Sequence, residues 1–174
     1  MKKIVSLVMV AALFCSLETA CAQTDKSKRP SPPASATATL SSGSLITINY
    51  SQPSLKGRTI GKDIEPKEGV IWRTGANEAT VFETSKDILV NGKALPAGKY
   101  GFFSINKGKE WTLIFNKKWD QWGAMSYQIS DDALRITATA IEINKPVEKL
   151  TYAIDNNGNI TLTWGTLQVP FSVK

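Results

Sequence analysis

Histidine is absent from the 174-residue chain, and the two cysteines, Cys15 and Cys21, both lie near its start. Without histidine, Ser-His-Asp and Cys-His nucleophile systems are excluded, and so are histidine-ligated zinc, copper and non-haem iron sites. No GxGxxG or Walker-type phosphate loop occurs, and no EF-hand calcium loop. One apolar run exists, Ile4 to Leu17, and it is too short for a bilayer span, so no transmembrane helix is expected. What remains is carboxylate, amide, hydroxyl, amine, guanidinium and aromatic chemistry, with no metal and no cofactor expected.

The start of the chain reads Met1-Lys2-Lys3, then that apolar run, then small residues at Ala20 and Ala22. This is the plan of a secretory signal peptide over residues 1–22, cut after Ala22, and it predicts a periplasmic or secreted protein. The competing expectation is lipidation at Cys21; the preceding Leu17-Glu18-Thr19-Ala20 fits that poorly because of its glutamate. Cleavage after Ala22 removes both cysteines, so no disulfide braces the domain and a packed core has to. The net charge of +6 is spread among acids rather than gathered in a stripe, and no nucleic-acid partner is expected.

Residues 23–33, with Pro30, Pro32 and Pro33 among Lys, Ser and Arg, read as a flexible linker before a single domain over 34–174. Within that domain apolar and polar residues alternate, the mark of half-buried strands. Ile46, Ile48 and Tyr50 share one face; so do Trp111, Leu113 and Phe115; Leu150, Tyr152 and Ile154; Ile160, Leu162 and Trp164; and Leu167, Val169, Phe171 and Val173. Asn91-Gly92 between apolar runs predicts a type I′ hairpin. Lys107-Gly108-Lys109 and Asn156-Asn157-Gly158-Asn159 mark two further turns. No window gives an amphipathic helix, although Lys117–Tyr127 has room for a turn or two. The fold class is all-β, an antiparallel, jelly-roll-like sandwich with a barrel as the alternative.

Two blocks, Asn49-Tyr50-Ser51-Gln52-Pro53 and Lys56-Gly57-Arg58, precede the run Val70-Ile71-Trp72-Arg73-Thr74-Gly75-Ala76-Asn77-Glu78-Ala79-Thr80. Asn91-Gly92-Lys93, Leu95 to Tyr100, Trp111 to Asn116 and Trp122-Gly123 follow in order. In these blocks the chain resembles the domain of unknown function 2911 family across essentially its whole mature part. The resemblance implies exported bacterial proteins with a β-rich domain and supplies no activity or functional residue. One departure is Gln52, where the family often carries arginine.

The W-R-T-G-A-N-E-A-T run is the first candidate site. Trp72 offers a flat platform, Arg73 a planar fork for carboxylate or phosphate, Asn77 a donor and acceptor, and Glu78 an acceptor or base. Gly75 allows a bend that would bring Arg73 and Asn77 together between two strands. The competing structural reading pairs Arg73 with Glu78 and puts Trp72 in the core. The second candidate is Trp119, Asp120 and Trp122, suited to stacking on a sugar ring and gripping its hydroxyls. The third is Arg58, with Asp63 and Glu65, on a charged segment from Gln52 to Gly69 that would cover a site. These predict binding of a small polar molecule or carbohydrate. The alternatives are a carboxylate-dependent hydrolase or lyase using Glu78, with Asp63, Glu65 or Asp120 as the second acid, and a non-catalytic envelope protein.

Overall fold

Period-two alternation becomes strand almost everywhere it occurs. The computed structural model describes residues 25–174, so the signal-peptide reading, Cys15, Cys21 and the first linker residues lie outside them. The strands are β1 (Pro33–Thr39), β2 (Leu45–Ser51), β3 (Ile71–Trp72), β4 (Thr80–Thr84), β5 (Ile88–Val90), β6 (Lys93–Leu95), β7 (Gly98–Lys107), β8 (Glu110–Asn116), β9 (Asp132–Thr139), β10 (Ile141–Ile154) and β11 (Asn159–Ser172). All strand-to-strand ladders are antiparallel. The sheets do not close on themselves, and the architecture is a sandwich rather than a barrel. No described helix is long and apolar enough to cross a membrane.

One layer runs β1-β2-β4-β7-β8-β9, with β3 also paired to β7. The other is the long β10–β11 hairpin, extended by the β5–β6 hairpin. Leu89 and Lys174 exchange backbone hydrogen bonds of 2.8 and 2.9 Å, and Val90 bridges Val173. Asn91 and Gly92 take positive φ at the β5–β6 turn, as the I′ reading requires. Between the layers lies a core of aromatic and branched residues drawn from both, including Ile46, Ile48, Phe82, Phe102, Phe115, Leu162 and Phe171. Each such side chain contributes about 1.5–3 kcal/mol on leaving water.

The last two apolar series belong to one strand. The buried apolar set is even-numbered up to Trp164 and odd-numbered from Val169; the change follows Gly165, whose φ is 59°, where the register shifts and the extra residues bulge out of the facing β10. A left-handed residue there lets the strand change the face it buries without leaving the sheet. The Lys117–Tyr127 stretch forms no helix; it is a connection that ends in a short 3-10 turn, Ile129–Asp131, before β9. It covers the outer face of the larger sheet, where Phe103 and Ile114 are buried against Ala124 and Tyr127. Tyr127 Oη donates to Asp132 Oδ2 at 2.7 Å, and Arg135 Nε donates to the same oxygen at 2.6 Å, tying the connection down.

Candidate functional site

The W-R-T-G-A-N-E-A-T run is an excursion within one line of the sheet. Strands β3 and β4 lie along the same edge of β7, with Trp72 opposite Ser104 and Thr80 opposite Phe102. Phe103 alone separates those partners, so the segment Arg73–Ala79 leaves the sheet as a loop where a single residue would have sufficed. Thr74 anchors it: its Oγ1 donates to Phe102 O at 2.6 Å, while its carbonyl accepts from Thr80 Oγ1 at 3.1 Å and from Tyr152 Oη at 2.7 Å. Burial pushes the Tyr152 phenol well above its usual range, so it stays a donor. Thr74 has φ 47° and Asn77 φ 56°. A buried β-branched residue in the left-handed region is strained, and such strain persists only where surrounding contacts over-determine it.

The side chains of this loop do not converge. Trp72 is core, 2% exposed, with its ring stacked on Trp164 at 6.2 Å and 12° and edge-on to Trp111. Its Nε1 donates to Gly75 O at 3.2 Å. Asn77 and Glu78 turn the other way, towards the described part of the segment read as a linker. Asn77 Nδ2 donates to Ser31 O at 2.9 Å. Arg29 Nη1 donates to both Glu78 carboxylate oxygens at 3.0 Å, and Lys26 Nζ lies 3.0 Å from Oε1. Trp122 joins this group, because Glu78 and Trp122 form a backbone bridge and the Arg29 guanidinium sits 6.0 Å over the indole. The first and second sequence candidates therefore do meet, and what they grip is the chain's own N-terminal segment.

Burial alone would raise the Glu78 carboxyl. Hydrogen bonds from its own backbone, Lys26 and Arg29 outweigh that and bring it from the usual 4.5 down to about 2. A carboxylate held ionised by two cations is a poor general acid and a weak base. The folded value lies below the unfolded one, so the contacts stabilise the protein above pH 4.5 and lose that effect as pH falls towards 2. With the side chain 38% exposed, solvent screening limits the effect to about 1 kcal/mol. Urea unfolding of wild type and Glu78→Gln should accordingly differ at pH 7 and coincide near pH 2. A gap that persists in acid would show that the carboxylate's charge is not what holds the segment.

Arg73 and Arg58 face a different place, a cavity of about 320 Å³ floored by Trp72 and Trp164 and bordered by Lys67 and Ser31. The Gln52–Gly69 segment makes its outer wall. That segment first pairs with β10, through Leu150 N–H to Pro53 O and Leu55 N–H to Glu148 O, both 2.9 Å, and then returns to β3. It thus spans the opening between the two layers. Gln52 donates through Nε2 to Leu150 O at 2.9 Å and helps join the layers.

Inside the cavity the acids are engaged. Asp63 accepts from Thr59 N–H and Glu65 from Lys67 N–H, each at 2.8 Å. Arg58 is partly engaged, donating to Leu55 O and Ser54 O. Arg73 is not: its buried Nε has no partner, and no hydrogen bond or ion pair of its guanidinium occurs among the described residues. Burial pushes that guanidinium below its usual value, and the field of Glu65 opposes the shift. Trp119 and Asp120 lie apart from the cavity; Lys99 sits 5.6 Å over the Trp119 ring and Asp120 pairs with Lys118 at 3.2 Å. Among the described residues no three acidic side chains gather as ligands for a cation.

Sequence reasoning missed Trp164, Lys67 and Ser31 at the cavity and Lys26 and Arg29 at Glu78. Trp164 alternates like any core residue, and the others sit in charged or Pro-rich stretches with no local mark of a partner. A search of the curated proteins and a search of the solved structures each returned no match. The model of the family described as "Protein of unknown function (DUF2911)" matches residues 31–173, nearly all of the fold described above, and the chain belongs to that family.

Proposed function

We propose that this is an exported binding protein whose cavity takes a small anionic molecule, such as a sugar acid or an organic phosphate, with Arg73 as its principal contact. The observation that carries the reading is the half-buried guanidinium at the cavity wall with no partner among the described residues. An unpaired buried polar group costs about 1–3 kcal/mol, and more when charged. A carboxylate or phosphate would take its fork in two parallel hydrogen bonds. Both indole N–H groups are already engaged, Trp72 with Gly75 O and Trp164 with Glu148 O, so the floor presents no free donor that would compete with Arg73 for a ligand. The cavity volume suits a molecule the size of a monosaccharide acid.

The test is a thermal-shift series with phosphate, sulfate, glucuronate and benzoate, and glucose as the neutral control, on wild type and Arg73→Met. A ligand present at a hundred times its Kd should raise the wild-type Tm by roughly 5–10 °C. Arg73→Met should lose that response and, without ligand, be at least as stable as wild type, since replacing an unpaired buried charge by an apolar side chain is neutral or stabilising. If Arg73→Met instead loses more than about 2 kcal/mol without ligand, the guanidinium is structural and the proposal falls. It falls equally if no anion shifts the wild type.

A further inference from the structure

We infer that the tip formed by Trp122 and Met125, beside the point where the described chain begins, is a membrane-contact surface that seats the domain on the bilayer interface. This is independent of the cavity and its ligand. The Lys117–Asp131 connection leaves Trp122 57%, Met125 87% and Ile129 68% exposed. Beside them, Gln121 and Gly123 are buried, and Ala124 and Tyr127 pack on the Phe103–Ile114 cluster, while Ser126 and Gln128 are exposed. The connection is also fixed in place, by Ala79 N–H to Gln121 O and Gly123 N–H to Asn77 O, both 3.0 Å, and by Asn116 Nδ2 to Gln128 O at 3.0 Å. The thioether has nothing to pack on in water, and the indole is covered only in part, by Arg29. Tryptophan has the character that suits a bilayer interface, an apolar ring with one polar edge.

The position of the N-terminal segment names the occupant. Arg29, stacked over Trp122 and paired with Glu78, holds the Lys26–Lys28 turn beside the tip. From Asp25 the chain continues towards Cys21 across only Thr24, Gln23 and Ala22. A chain anchored at Cys21 would therefore keep Asp25, and with it the turn held beside the tip, within about 15 Å of the membrane, the reach of four extended residues. Cations and acids nearly balance nearby, with Lys26, Lys28, Arg29, Lys117 and Lys118 against Asp25, Glu78, Asp120 and Asp131. Contact is therefore driven by the apolar tip, and added salt should weaken it little.

The experiment uses the full chain, expressed with its own N-terminal residues, purified in mild detergent and reconstituted with phosphatidylethanolamine–phosphatidylglycerol vesicles carrying brominated acyl chains. Trp72, Trp111 and Trp164 are buried, so quenching reports on the exposed indoles. Wild type should show quenched, blue-shifted emission that survives high salt. Trp122→Ser/Met125→Ser should lose most of the quench, because its exposed indole and thioether no longer enter the acyl region. Its Tm should fall by no more than about 2–4 °C, because Met125 is almost fully exposed and Trp122 loses only its partial cover by Arg29. No quench in wild type overturns the proposal, as does an equal quench in the two chains. Self-association in solution that the double substitution abolishes, without a vesicle quench, would assign the tip to a second copy of the chain and also overturn it.

Discussion

Replacing Trp72 by alanine should cost about 3–5 kcal/mol of stability, enough to lower the denaturant midpoint severely or abolish folding. The indole is nearly inaccessible, stacked on Trp164 from the opposite layer and edge-on to Trp111 from its own. Its loss removes an aromatic contact across the sandwich and leaves Gly75 O without the Nε1–H that it accepts. The adjoining cavity would admit water to the vacated space and keep the cost near the lower end of that range. Guanidinium unfolding measures it. A loss under about 1 kcal/mol, far below that of a core aromatic, would return Trp72 to the role of an exposed ligand platform.

Gly101→Ala is the second large effect, expected at about 1–3 kcal/mol. Gly101 lies in β7 opposite Val81 and Asn116, and the reason for glycine there is close approach. A Cβ would stand 2.8 Å from Lys118 O and 2.8 Å from Cε2 of Phe103. The Lys118 backbone cannot yield freely: its N–H donates to Asn116 Oδ1 at 2.9 Å and its carbonyl accepts from Gln121 Nε2 at 2.7 Å. Phe103 is equally confined between Ile114 and Tyr127. The substitution should therefore lift the connection that carries Trp119 and Trp122. Denaturant unfolding would show the loss, and faster hydrogen exchange at the Ala79 and Gly123 amides would show that the connection had moved. Protected amides with unchanged stability would mean that it floats on the sheet.

The ion pairs at Glu78 are worth less than either of these. Three contacts that look strong, two from Arg29 and one from Lys26, add only about 1 kcal/mol because the pair is partly in water. Their role is placement: they hold the N-terminal segment across the loop, where Ser31 also borders the cavity.

Local pattern carried much of the fold. Ile46, Ile48 and Tyr50 alternate because a strand alternates, and Asn91-Gly92 turns because those two residues tolerate positive φ; neither needs a distant partner. Gly165 shows where local reading stopped short. A change in burial parity looked like two strands, and only pairing with β10 reveals one strand running past a bulge in its partner.

The Trp72–Thr80 run shows the same division at the site. By itself the sequence determined that this stretch joins two strands, that its polar groups are rare in a chain without histidine, and that only oxygen, nitrogen and aromatic chemistry is available. Only the tertiary structure decided the direction of each side chain. Trp72 went to the core, Arg73 to the cavity, and Asn77 and Glu78 to Ser31, Arg29 and Lys26, partners from 46 to 52 residues earlier in the chain. The physical reason is that a loop's side chains are placed by what packs against it. Here that is Ser51, Gln121 and Tyr152, contributed by three other parts of the sandwich and brought together only when the two layers close.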